Sequence, residues 1–260
     1  MNIAIFYNVE TNPKNKTYAL ETAKILERHK VKYRINPPEK DFGKFDLALA
    51  TGGDGTVLYT ANLLASRKIP ILGINFGHRG YLCGISKEII EDGIEKILSG
   101  NYSMEEKTRI QAKIGKRNNP KLSLEALNEI SIGGINRTVS INARIKTPHK
   151  FLETKIIGDG LIVATQTGST AYNINAGGSM LLTEALSVVA NNAFFESKFL
   201  LPVTRSLVIP SESALEISDL SHNTANLPFV IADGQKAVKI GKEDIIYIKK
   251  AKNTNLFIRL

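Results

Sequence analysis

The chain has no tryptophan, one cysteine and four histidines among 260 residues. A single cysteine, Cys83, excludes an internal disulfide, which fits a reducing compartment. Free cysteine is most often a small buried hydrophobe, and that is the expectation for Cys83. His29, His149 and His222 are isolated along the chain, so no transition-metal spacing is evident and no Ser-His-Asp or Cys-His arrangement suggests itself. No apolar run approaches the ~18 residues that span a bilayer. The start, Met1-Asn2-Ile3-Ala4-Ile5-Phe6-Tyr7, lacks a basic leader and reads as a strand, so a cytoplasmic protein without membrane contact is expected. The formal charge is +9 and the pI about 9.5. Yet the densest basic stretches, Lys113-Ile114-Gly115-Lys116-Arg117 and Lys249-Lys250-Ala251-Lys252, contain no run of five, and no aromatics interleave with them. Nucleic acid is therefore not an expected partner; a small polyanion such as a nucleotide accounts for the sign equally well.

What the chain does have is 43% hydrophobic residues, in keeping with a folded protein, and a length that favours two domains. The first hundred residues alternate strand and helix signals. Asn2-Ile3-Ala4-Ile5-Phe6-Tyr7 is a strand, and Pro13 opens a helix with Ala19, Leu20, Ala23 and Leu26 on one face. Residues 31–35, 45–50 and 70–75 read as further strands, and a helix is predicted over 86–98, where Ile90, Ile94, Ile97 and Leu98 recur at helical spacing. Repeated βα units imply a parallel sheet that binds ligands at the carboxyl ends of its strands. After Tyr102 the pattern becomes two-residue alternation, as in Arg109-Ile110-Gln111-Ala112-Lys113-Ile114 and Val139-Ser140-Ile141-Asn142-Ala143-Arg144-Ile145. A mostly β domain follows, with a helix predicted over 181–192 and two strand-like closing runs, 245–248 and 256–260. The expected fold is thus α/β plus β: a Rossmann-like domain over 1–103, a β-rich domain over 104–245 and a tail over 246–260.

Four polar clusters interrupt apolar strands. Gly52-Gly53-Asp54-Gly55-Thr56 follows the strand over 45–50 and precedes a helical segment. Glycines there let backbone N–H groups approach a polyanion at a helix start. Asp54 would repel a bare phosphate, so its chemistry is expected to concern a proton or a metal, and the loop suggests phosphoryl transfer to a hydroxyl. Asn128-Glu129 lies within an apolar run read as a strand, where neighbouring side chains point to opposite faces. The stretch Gly158-Asp159-Gly160, a buried run, then Thr167-Gly168-Ser169-Thr170-Ala171-Tyr172 offers hydroxyls and amides with little bulk, as a nucleotide site needs. Ala232-Asp233-Gly234-Gln235 is the fourth cluster, and taken alone reads as a hairpin turn. His78, in Gly77-His78-Arg79-Gly80-Tyr81 at a strand end, is a further phosphate candidate.

These clusters, in this order, resemble those of the NAD kinase family, which phosphorylates the 2′-hydroxyl of the adenosine ribose of NAD to give NADP. The resemblance runs from Ile3 to about Ile248. It implies a Rossmann-like domain, a β-rich domain and a tail returning to the first. It makes Asp54 the acceptor of the ribose proton; with it, the glycine loop and the strand end make Gly52, Gly53, Gly55, Thr56 and His78 the expected ATP-phosphate site. NAD would be held by Asp54, Gly55, Tyr81, Asn128, Glu129, Asp159, Thr167, Thr170, Ala171, Tyr172, Asn173, Ile174, Asn175 and Gln235. It further implies ATP or polyphosphate as donor, Mg²⁺ or another divalent cation brought by the triphosphate rather than held by protein alone, and a homodimer or homotetramer. Ile157, Gln166 and Asn175 depart from the family's usual residues, as does the stretch 200–207. Two other readings are a lipid kinase of the diacylglycerol type, with the same glycine loop, and a non-catalytic NAD(P) sensor.

Overall fold

The computed structural model describes residues 1–77, 80–117, 119–134, 138–194, 206–221 and 228–260. The chain forms two compact units, Met1–Lys107 with Asn253–Leu260, and Thr108–Lys252.

The first unit is built on strands β1 (Asn2–Phe6), β2 (Lys32–Ile35), β3 (Leu47–Gly52), β4 (Ile71–Asn75) and β5 (Ile85–Ser86), with helices α1 (Asn15–Arg28), α2 (Asp54–Leu63) and α3 (Ile90–Leu98). The strand order β2-β1-β3-β4 is parallel throughout. Crossover helices cover such a sheet, so its strands read as continuous apolar runs: every residue of β3 is buried. Ile3, Ile5, Leu47, Leu49, Leu72 and Ile74 share a core with Ala19, Ala23 and Leu26 of α1 and Ile90, Ile94 and Ile97 of α3. Helix α3 begins later than the periodicity over 86–98 predicts. Ile85 and Ser86 pair with Ile74 and Asn75 as a short parallel strand, and one 3₁₀ turn over Lys87–Ile89 leads into the helix. Because β1, β3 and β4 run the same way, the segments that leave them emerge at one end of the sheet.

The second unit comprises β6 (Ser103–Lys116), β7 (Asn119–Ala126), β8 (Glu129–Gly133), β9 (Val139–Lys146), β10 (Phe151–Gly158), β11 (Gly160–Ala164), a one-turn helix α4 (Tyr172–Asn175), β12 (Ala185–Asn191), β13 (Ser206–Pro210), β14 (Ala214–Ser221), β15 (Phe229–Ala232), β16 (Lys236–Lys239) and β17 (Ile245–Arg259). Strands β6 and β17 begin in one unit and end in the other. One antiparallel sheet has the order β13-β12-β11-β8-β15-β16; the other pairs β10, β9, β14 and the first part of β17. Alternate residues of both sheets meet in one core: Ile130, Ile132, Leu161, Val163, Leu186, Val188 and Val230 from the first, Ile141, Ala143, Ile145, Leu215, Ile217, Ile246 and Ile248 from the second.

Two expectations are corrected in this unit and one is refined. The helix predicted over 181–192 is strand β12, paired with β11 on one side and β13 on the other. Six of its seven residues are buried, so no polar face was available to reveal a period, and Val188-Val189 favour the extended backbone. The two closing runs are a single strand, β17, whose end pairs with β4 through Phe257 and Ile71. Asn128-Glu129 does not lie within a strand: the chain bends at Leu127-Asn128, and β8 starts at Glu129. Both side chains are buried.

Candidate functional site

In the first unit the glycine cluster forms the end of β3 and the start of α2. Gly52 is at φ 155°, and a Cβ there would collide with the Thr56 hydroxyl, so the tight turn into the helix requires glycine. Gly53 caps α2, whose first residue is Asp54. A helix start leaves N–H groups without intrahelical partners and carries partial positive charge, which suits an anion. The Asp54 carboxylate is held rather than loose: one oxygen accepts the Tyr81 N–H at 3.0 Å and the other the Leu82 N–H at 2.9 Å. Each oxygen keeps a further lone pair. Tyr81, whose backbone anchors the carboxylate, is itself 67% exposed. His78, the remaining phosphate candidate, lies outside the described residues.

Cys83 lies 4.0 Å from Asp54 Oδ1. Burial, with the Asp54 charge added, pushes its thiol up to about 12, so it stays protonated and unreactive at neutral pH.

Thr56 is fully buried. Its hydroxyl accepts from Asn15 Nδ2 at 3.0 Å and sits 3.4 Å from the Thr11 hydroxyl. Asn15 also donates to Asn8 O at 2.8 Å and Thr11 Oγ1 at 3.0 Å, so one buried amide clasps the β1–α1 segment to the glycine turn. Sequence reasoning missed Asn15. The only signal was its place at the start of the helix that follows β1, the strand adjacent to β3.

In the second unit three clusters far apart in sequence converge. The Asp233 carboxylate accepts the N–H groups of Leu127 at 2.9 Å, Asn128 at 2.7 Å and Glu129 at 3.3 Å. Thr165 donates its hydroxyl to Leu127 O at 2.6 Å and its N–H to Asn128 O at 2.8 Å. Gly168 packs directly on the Asn128 backbone, where a Cβ would collide. Among the described residues, Asn128 Oδ1 and Glu129 Oε2 are buried without a hydrogen-bond partner. Burial first, and the Asp233 charge second, push Glu129 up to about 7. Arg109, only 1% exposed, lies within reach of the Asp233 and Glu125 charges, while burial lowers its own pKa.

The hydroxyl-rich run curls into a 3₁₀ turn over Thr167–Thr170 and then α4. Asn173 is wholly buried and donates to Ser169 O at 2.9 Å and Ser179 O at 3.0 Å, so its side chain braces the run. Thr167, Thr170 and Ala171 are partly exposed, while Tyr172, Ile174 and Asn175 are exposed. Gln235 is exposed on the β15–β16 turn. Asp159 sits between β10 and β11 and accepts from Asn192 Nδ2 at 3.0 Å. Asp159 and Tyr172 line a cleft of about 580 Å³ across β8, β11 and β15, with Gly133, Asn191, Phe229 and Ile231. The Tyr172 hydroxyl is fixed there by Asn191 Nδ2 at 3.1 Å.

Two family models match the sequence: the ATP-NAD kinase N-terminal domain over residues 4–102 and the ATP-NAD kinase C-terminal domain over residues 127–260. The chain belongs to the NAD kinase family. An NAD kinase of Thermoanaerobacter sp. (strain X514) is 31% identical over 227 residues, covering 83% of this chain and 77% of the relative. One from Clostridium kluyveri is 31% identical over 268 residues, covering 99% of this chain and 90% of the relative. Among solved structures, an NAD kinase from Archaeoglobus fulgidus in complex with ATP superposes with a TM-score of 0.78 at 27% identity, covering 99% of this chain and 93% of that one. Yeast NADH kinase complexed with NADH has the same fold, with a TM-score of 0.82 at 22% identity, covering 100% of this chain and 83% of that one. The glycine cluster with Asp54 falls within the N-terminal NAD kinase match, and the three convergent clusters fall within the C-terminal match. Neither the models nor the relatives support the lipid-kinase or the sensor reading. Among the described residues, no helix is long and apolar enough to cross a membrane.

Proposed function

We propose that this chain transfers the terminal phosphoryl group of ATP to the 2′-hydroxyl of the adenosine ribose of NAD, giving NADP. Membership of the NAD kinase family supports the reaction. The observation that supports its chemistry is Asp54, a carboxylate pinned by two backbone N–H groups in the first turn of a helix that follows a glycine turn. A hydroxyl is a weak nucleophile at neutral pH. Asp54, fixed in direction but with lone pairs to spare, accepts the ribose proton as the oxygen attacks phosphorus. The amides around Gly52 and Gly53, at the positive end of α2, take the charge of the triphosphate.

A divalent cation arriving with ATP would meet an oxygen donor of suitable hardness in Asp54, and its chemistry there is to neutralise charge on the transferring group. Among the described residues no three His, Cys, Asp or Glu side chains gather into a metal cage. In the second unit, Asn128 and Glu129 offer buried acceptor oxygens to ribose hydroxyls. Thr167, Thr170, Ala171, Tyr172, Ile174 and Asn175 offer small polar groups and one ring, with Asn173 bracing them. Asp159, Gln235, Tyr81 and Gly55 complete the NAD-binding set, and Thr56 acts on phosphate through the turn it stabilises. We assign the chain to a homodimer or homotetramer, and inorganic polyphosphate is a second donor to be assayed.

The test is NADP formation from NAD, with Mg-ATP and then with polyphosphate. Asp54→Asn should fold normally and still bind NAD by calorimetry, but lose turnover by about 10²–10⁴-fold, the usual contribution of a general base. Near-normal turnover in that variant removes Asp54 from its role.

A further inference from the structure

Asp233 is 6% exposed, at φ 51°, a left-handed conformation that aspartate tolerates better than most residues. Its carboxylate receives three consecutive N–H groups, those of Leu127, Asn128 and Glu129, and its own N–H donates to Glu129 O at 3.0 Å. A hairpin turn needs none of these bonds. They tie the β15–β16 turn to a bend more than a hundred residues earlier, and that bend carries two side chains with buried oxygens that lack a partner among the described residues. A buried acceptor left unsatisfied carries the full penalty of its desolvation. Such atoms persist where a ligand supplies the donor, and then only if the backbone beneath them is held still.

We propose that Asp233 is the positioning residue of the NAD site: its carboxylate fixes the Leu127-Asn128-Glu129 backbone so that the amide of Asn128 and the carboxylate of Glu129 are set to receive ribose hydroxyls. This assignment rests on the NAD kinase reading. Asp233 has an electrostatic effect as well. It is the charged group acting on Glu129 among the described residues, and with burial it keeps Glu129 near the edge of ionisation at about 7. Arg109 of β6 attracts Asp233 from behind, and Glu125 of β7 in turn faces Arg109. β11 and the turn that follows it present neutral groups to the bend, among them Thr165 and Gly168. A ribose hydroxyl donates better to a carboxylate than to a carboxylic acid. NAD affinity therefore rises with pH as Glu129 ionises, and the Asp233 charge sets where that rise falls.

The experiment compares wild type, Asp233→Asn and Asp233→Glu by calorimetric NAD binding and steady-state kinetics at several pH values, with thermal melting to establish folding. In D233N the affinity for NAD should fall about tenfold, in Kd and KM alike, with kcat little changed. The rise of affinity with pH should move to lower pH, because the charge that opposed Glu129 ionisation is gone. D233E keeps the charge but not the reach, so it should lose affinity while the rise stays near its wild-type position. Glu129→Gln should abolish the rise in every background. A merely structural Asp233 would lower the melting temperature and the active fraction but move neither KM nor the pH profile. Unchanged NAD affinity and an unmoved pH profile in a folded D233N or D233E overturn the proposal. If wild type makes NADP, such a result overturns it alone; a wild-type protein that makes no NADP and binds no NAD overturns the NAD kinase reading with it.

Discussion

Asn15 is 2% exposed, and the two N–H groups of its amide are shared among oxygens of Asn8, Thr11 and Thr56, three points on two segments that leave neighbouring parallel strands. Replacing it by alanine leaves the Thr56 hydroxyl and the Asn8 carbonyl short of a donor in a place water reaches poorly. Asn15→Ala should lower stability by about 1–3 kcal/mol in chemical denaturation. It should also raise KM for ATP more than KM for NAD, because the glycine turn loses its clasp while the second unit is untouched. Equal changes in the two KM values would contradict this role. At this scale the sequence announced Asp54, since a carboxylate among glycines at a strand end is chemically odd. It did not announce Asn15 or the reach of Asp233, because each acts on residues 41 to 106 positions away. Cys83 is intermediate in exposure rather than fully buried, yet shielded enough for its thiol to be inert.

At the scale of elements, the hydroxyl-rich run is small for two reasons, and only one concerns a ligand. Gly168 lacks a side chain because the Asn128 backbone occupies the space, and Gly178 lacks one because the Asn173 amide does. Gly168→Ala would force the 3₁₀ turn off the bend that carries Asn128 and Glu129. We expect it to lower stability by about 1–3 kcal/mol, as overpacking does. NAD binding should weaken with it, while ATP binding to the first unit is spared; melting curves with each ligand separate the two effects. The βα alternation of the first hundred residues was readable because amphipathic helices and buried parallel strands carry different periods. Strand β12 was not, since a segment buried on both faces has no polar face to set a period. The bend at Leu127-Asn128 was hidden too: apolar residues flank it as they would flank a strand, and the acceptor that turns the backbone arrives from Asp233.

For the whole molecule, the net charge of +9 is spread along the chain rather than gathered into a basic stretch. Many of these cations are already engaged at the surface, as in the pairs of Arg28 with Glu91, Arg34 with Asp41 and Arg144 with Glu153. What remains is a general positive field that favours the approach of Mg-ATP, still the more anionic of the two substrates, over that of NAD. Raising the ionic strength from about 0.05 M to about 0.5 M should therefore lower kcat/KM for ATP several-fold while changing that for NAD less. Equal sensitivity of the two substrates would show that local pairs, not the field, govern capture. The sequence by itself determined two domain types, the glycine turn with its carboxylate, and the set of polar clusters, because these depend on local periodicity and on residue types within a few positions of one another. Only the tertiary structure decided which clusters meet, that Asn128 and Glu129 stand on a bend held by Asp233, and that Asn15 locks the phosphate turn. Those contacts join groups 41 to 106 positions apart, and hydrogen bonds of that reach exist only once the strands have paired and excluded water from between them.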